Sequence, residues 1–142
     1  AVSGYSGAGT KPSPRNNVEN LTDNLLPYSL TGHIHEREIN HHLGISAAFI
    51  PHGLLVPVSI PYSLANWGFL NIIYRGIHHT VNIPLNKQIS SRDIRELFQQ
   101  RYDGEKLVKV VGEAPLVKAI QGRHGVEIGG FAVDKSGKRV VM

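Results

Sequence analysis

The sequence predicts an α+β fold: a mainly antiparallel or mixed sheet with helices on one face. Two observations carry this. Strand-like runs outnumber helical ones, and most of them follow one another without a long helical crossover. A chain of 142 residues, 41% hydrophobic and 18% charged, can close a core without staples, so a single domain over 1–142 is expected.

The first stretch, "AVSGYSGAGTKPSPRNN", passes from small residues and glycine to proline and asparagine, which reads as the end of a strand entering a long irregular connection. From His35 to Leu43 the residues suit a helix, with Ile39 and Leu43 four apart on one face and Gly44 as the stop. "ISAAFIPH" reads as a buried strand ending at Pro51. The next run, Gly53 to Tyr74, contains no charged residue, yet Pro57, Pro61, Asn66, Gly68 and Asn71 interrupt it and no basic cluster flanks it. These breaks argue against a membrane span and for a buried or partner-covered hairpin.

"GIHHTVNIPL" alternates as a strand does. "SSRDIRELFQQRY" is the clearest helix: Ser90 can cap it with Asp93 three residues on, Ile94, Leu97, Phe98 and Tyr102 form an apolar stripe, and Gly104 ends it. "KLVKVVG" reads as a strand, and "HGVEIGGFAVDKSGKRVVM" as a hairpin closed by a turn from Asp134 to Gly137.

Composition narrows the chemistry. There is no cysteine, which excludes disulfides, thiolate metal sites and a cysteine nucleophile from these residues. The net charge of +4 suits a small anionic metabolite as well as nucleic acid. No basic run of five marks a nucleic-acid face, so neither a nucleic-acid nor a membrane partner is expected.

Two stretches carry candidate chemistry. Ser3-Gly4-Tyr5-Ser6-Gly7-Ala8-Gly9 offers backbone N–H groups and hydroxyls that can hold phosphate or carboxylate oxygens when a turn points them inward. It has neither the Lys-Ser/Thr of a Walker loop nor GxGxxG spacing, and a plain flexible turn explains it as well. In "TGHIHEREIN", His33, His35 and Glu38 lie within six residues. A spacing of two aims His33 and His35 the same way on a strand and apart on a helix. They do not form HExxH, so no metal site is expected. Proton transfer by one imidazole, oriented by Glu38, asks for less. Solvated histidines at a helix start, with Glu36 and Glu38 favoured by the helix dipole, are the plainer alternative.

In this order, "SGYSGAG", "HIHEREI", "FIPH", "RGI" and "GVEIGGF" together resemble N-acetyl-γ-glutamyl-phosphate reductase, particularly its fungal mitochondrial form. The resemblance covers about residues 1 to 52 and 75 to 142. It implies the substrate-binding and dimerisation domain of a two-domain enzyme, with a fold similar to the C-terminal catalytic domain of glyceraldehyde-3-phosphate dehydrogenase. The family reduces N-acetylglutamyl phosphate, an acyl phosphate, to the semialdehyde in arginine synthesis through a thioester on cysteine. Its NADP preference, its mitochondrial-matrix location and a homo-oligomer formed through the sheet are inherited expectations. NADP would be bound mainly by a domain absent from this chain.

By resemblance, His35 is the acid/base that activates the thiol and exchanges a proton with the hemithioacetal, supported by His33 and Glu38. Arg37 stands where relatives often carry proline. Ser3, Ser6, Gly7 and Lys11, with Arg75 of "RGI", become the substrate- or anion-contact candidates. The nucleophilic cysteine and the nucleotide loop are expected upstream of Ala1 and a return segment after Met142, making this chain a fragment that is inactive alone. Residues 53–74 match nothing in the family pattern and are expected to be an apolar insertion, from a lineage addition or from a misread coding boundary. The rival is a non-catalytic small-anion-binding or interaction domain of the same fold.

Overall fold

A computed structural model describes residues 1–4, 7, 9, 11–21, 24–55 and 76–142. They form two compact units, Ala1–His78 and His79–Met142. The architecture is α+β, with one mixed sheet, one antiparallel sheet and one parallel pair.

The first unit is built on a four-stranded sheet ordered β2-β3-β1-β4. Strand β1 (Val2–Gly4) lies parallel to β3 (His52–Leu55) in register Ser3 to Gly53, and antiparallel to β4 (Ile77–His78). Strand β2 (Asn24–Pro27) covers the other edge of β3, Leu25 opposite Leu54. The expected long connection after β1 holds more order than its composition suggests. It includes a 3-10 turn at Pro14–Asn16 and the short helix α1 (Val18–Leu21), whose Leu21 is fully buried. A Cβ on Gly53 would stand 3.2 Å from Leu21 Cδ2, so the missing side chain lets this connection close over the sheet.

Helix α2 (Ile34–Leu43) begins one residue before the expected start and ends where expected: Gly44 adopts φ 63° and donates to the Asn40 carbonyl at 3.0 Å. The strand expected in "ISAAFIPH" is not formed; residues 45–51 are irregular and pairing starts at His52. The reason lies in side chains of α2. Ala47 N–H donates to Asn40 Oδ1 at 2.7 Å and Phe49 N–H to Glu36 Oε1 at 3.0 Å, so these two donors are satisfied without a ladder. Strand β3 takes in Gly53–Leu55, the head of the uncharged run. The rest of that run, 56–74, lies outside the described residues, as do Ser6 and Arg75.

In the second unit, β5 (Asn82–Pro84), β9 (Arg139–Val141) and β8 (Ala132–Val133) form an antiparallel sheet in the order β5-β9-β8. "GIHHTVNIPL" thus supplies two strands, β4 and β5, where one was expected. The turn joining β8 to β9 is the expected one, closed by Gly137 N–H donating to the Asp134 carbonyl at 2.9 Å. Strand β7 (Val126–Ile128) stands outside that hairpin and pairs in parallel with β6 (Val108–Val110). A four-residue helix, α4 (Val117–Ile120), lies in the connection between them.

Helix α3 (Ser91–Arg101) carries the expected capping box: Asp93 N–H donates to Ser90 Oγ and Ser90 N–H to Asp93 Oδ2. Ile94 joins Phe131 and Val140 in the core, with Phe98 packed on them, whereas Leu97 points outward and is 55% exposed. The sequence stripe was therefore one residue too wide. Ser91 Oγ accepts the Val133 N–H at 3.0 Å and fixes the helix to β8.

Gly129 and Gly130 of "GVEIGGF" let two backbone segments meet. A Cβ on Gly129 would overlap the Glu113 carbonyl oxygen and stand 2.6 Å from Val111 Cγ2. Because one obstacle is backbone, relief requires the chain to move. Gly129→Ala is expected to cost about 1–3 kcal/mol, the range for overpacking, read as a lower unfolding midpoint of the intact protein. An unchanged midpoint would show that the segment yields freely.

Candidate functional site

The histidine pair forms where extended chain turns into helix. His33 is the N-cap of α2, at φ −60° and ψ 142°, and its Nδ1 accepts the His35 N–H at 3.3 Å. That bond requires a lone pair on Nδ1, so His33 is held with that nitrogen unprotonated. His35 is the next residue but one, already in the first turn. The change of backbone conformation between them resolves the strand-or-helix ambiguity of their spacing: the rings lie 4.7 Å apart at 72°.

Phe49, on the chain returning from α2, packs against both. Its ring is 5.1 Å from that of His33 and 6.3 Å from that of His35, nearly parallel to the latter at 20°. Tyr28, just beyond β2, meets His33 edge-on at 6.1 Å, and its N–H donates to the Pro51 carbonyl at 3.2 Å. His33 has its pKa lowered, first by burial and then by the neighbouring His35; Glu36 opposes this, Arg15 adds to it, and Glu38 opposes it. Both the hydrogen bond and the surroundings therefore favour a neutral His33.

His35 is the more accessible member, its side chain 60% exposed, with Nε2 3.8 Å from Glu38 Oε2 one turn along the helix. This places a carboxylate within ion-pair reach of a protonated imidazole while leaving the ring open to a reactant. The structure thus brings His33, His35 and Glu38 together as the sequence suggested.

The anion-loop candidates are dispersed more widely. Ser3 lies in β1, about nine-tenths buried, and its hydroxyl donates to the Gly4 carbonyl at 3.3 Å. A Cβ at Gly7 would overlap Ser3 Oγ, so Gly7 is seated directly over that hydroxyl. Lys11 is exposed, and its carbonyl accepts from Asn16 Nδ2 at 2.8 Å.

Several residues of this neighbourhood were given no role from sequence. Asn16 gathers the loop: its Nδ2 also reaches the Gly9 carbonyl at 2.9 Å, and its Oδ1 accepts the Ser13 N–H at 2.8 Å. Its spacing from Ser13 was the signal, a polar residue three after a serine at a turn start. Arg15, inside this loop, stands 5.3 Å over the Tyr28 ring and so joins the loop to the His33 side of the cluster. Tyr28 carried no signal in the local sequence and Phe49 stood in "FIPH" without a role; the contacts of both depend on the fold. Among the described residues no group of three or more His, Asp or Glu side chains could hold a metal ion, and no helix is long and apolar enough to cross a membrane.

Comparison with known proteins places this geometry in a family. The whole chain, residues 1–142, matches the semialdehyde dehydrogenase dimerisation domain, and the chain belongs to that family. It is 65% identical over 141 residues to the mitochondrial protein arg-6 of Neurospora crassa, covering 99% of this chain and 14% of that protein. It is 48% identical over 141 residues to the N-acetyl-gamma-glutamyl-phosphate reductase of Stenotrophomonas maltophilia, covering 99% of this chain and 39% of the bacterial protein. The corresponding reductase of Xanthomonas oryzae is 45% identical over the same length, again with 39% of that protein covered. The chain therefore spans well under half of the curated relatives it matches.

Proposed function

We propose that these residues form the substrate-binding and dimerisation domain of a mitochondrial N-acetyl-γ-glutamyl-phosphate reductase, which reduces N-acetylglutamyl phosphate to the semialdehyde with NADPH in arginine biosynthesis. The observation that carries the reading is the His33–His35 pair beside Glu38, in a chain of the semialdehyde dehydrogenase dimerisation family. The reductases of Stenotrophomonas and Xanthomonas supply the substrate class, and the Neurospora protein supplies the mitochondrial location. Both units act together as one domain, consistent with the family match running through them. Likeness of the fold to the catalytic domain of glyceraldehyde-3-phosphate dehydrogenase belongs to the same proposal.

In this reading His35 takes the proton from a cysteine thiol outside this chain. After acyl transfer and loss of phosphate, it gives that proton to the oxygen that becomes negative when hydride reduces the thioester, and takes it back as the hemithioacetal collapses to the aldehyde and releases the cysteine thiolate. Glu38, within ion-pair reach, orients the imidazole. Neutral His33 fixes the helix start beneath it. Lys11 and Arg75 meet the phosphate, with Ser6 and the Gly7 backbone, while Ser3 seats Gly7. NADPH supplies the hydride; these residues contain no GxGxxG nucleotide loop, so its main site lies in another domain. The sheet forms the homo-oligomer.

The test uses the full-length protein with N-acetylglutamyl phosphate. Each NADPH consumed is expected to release one phosphate and form one aldehyde. NADPH-independent hydrolysis, or no reaction with this substrate, would contradict the assignment.

A further inference from the structure

Glu36 sits in the middle of "HIHEREI" but takes no part in the proton transfers proposed above. Its carboxylate is committed elsewhere: Oε1 accepts the Phe49 N–H at 3.0 Å. Asn40, one turn further along α2, accepts the Ala47 N–H at 2.7 Å. Residues 36 and 40 share a helix face, and 47 and 49 are alternate residues of the returning chain. Two side chains of α2 thus hold the returning segment. The Phe49 ring is carried on that segment, 5.1 Å from the His33 ring and nearly parallel to His35 at 6.3 Å.

We propose that Glu36 is a positioning residue: by accepting the Phe49 N–H, it holds the Phe49 ring against both imidazoles and sets their orientation. This rests on the proposed role of His35. Orientation matters because acid/base catalysis needs the imidazole nitrogen aligned with the reacting atom, and a misplacement of about 1 Å can cost on the order of a hundredfold. Loss of the Glu36 acceptor removes one of the interactions that hold Phe49 and so loosens the ring, while Asn40 still tethers Ala47. The effect is therefore partial. Glutamine keeps an oxygen acceptor of similar reach and removes the charge that acts on His33, which separates the hydrogen bond from electrostatics.

The experiment compares Glu36→Ala, Glu36→Gln and Phe49→Leu in the full-length protein. Two quantities are read: steady-state rates, and the rate at which diethyl pyrocarbonate modifies His33 and His35, followed peptide by peptide. Glu36→Ala and Phe49→Leu are expected to uncover His33, raising its modification rate several-fold, whereas His35, already open, changes less. They are also expected to lower kcat about tenfold, a fraction of the misalignment range, with KM within about twofold of the parent. Glu36→Gln should resemble the parent in both readouts. Parental modification rates in Glu36→Ala would overturn the proposal, and so would a Glu36→Gln variant as impaired as Glu36→Ala. If Glu36→Ala does not fold, Phe49→Leu decides, and parental modification rates in it overturn the proposal. Because modification is measured without substrate, it reports the Phe49 contact even if the parent shows no reductase activity, so failure of the proposed function is seen separately.

Discussion

The purified 142-residue chain is expected to catalyse no NADPH-dependent reduction of N-acetylglutamyl phosphate. The proposed reaction passes through a thioester, and the sequence contains no cysteine. No remaining side chain replaces a thiolate. Serine hydroxyls ionise far above neutrality unless a paired base activates them, and an imidazole forms a different and short-lived acyl adduct. Ser3, in the candidate anion loop, is buried and donates to the Gly4 carbonyl, so it is not presented to an acyl group. Loss of a covalent nucleophile costs about 10⁶-fold where it has been separated from other effects, which puts the chain at background. Sustained aldehyde formation by the chain alone would overturn the covalent route.

Much of the local structure could be read from sequence because local chemistry determines it. The Ser90–Asp93 capping box, the Gly44 stop and the Asp134–Gly137 turn each depend on residues within a few positions, and each forms as expected. The pairings that failed were non-local. The parallel pairs β1–β3 and β6–β7 leave no mark in either strand, and β2 contains Asn24 and Pro27, which a propensity reading passes over. "ISAAFIPH" was misjudged for a more specific reason. Its short apolar run suits a buried strand, but Asn40 and Glu36 take two of its N–H groups, and Ile45 and Ile50 are exposed.

The candidate site was legible to the same degree. His33, His35 and Glu38 stand close in sequence, and a helix start gathers them. Spacing alone left the histidines undecided because it could not show that His33 is the extended N-cap and His35 the first helical turn. Phe49, Tyr28 and Arg15 reach the cluster from other elements, and only the fold brings them there. Family resemblance suggested the chemical role proposed for His35; the structure supplies what surrounds it.

In the full-length protein, His35→Asn is expected to slow the chemical step by about 10²- to 10⁴-fold, the usual contribution of one acid/base group. Asparagine keeps polarity and approximate volume but cannot exchange a proton near neutral pH. It also removes the imidazole that Glu38 faces at 3.8 Å. The neighbouring His33 is poorly placed to substitute, since its Nδ1 accepts the His35 N–H and it packs between Tyr28 and Phe49. Backbone capping does not depend on the side chain at 35, so α2 should form normally and substrate binding should change little. The direct measurement is the single-turnover rate of NADPH oxidation with saturating N-acetylglutamyl phosphate, parent beside His35→Asn, with far-ultraviolet circular dichroism to confirm an unchanged fold. A fall of at least about a hundredfold in a folded protein is the predicted result; a parental rate would remove His35 from the chemistry and contradict the account.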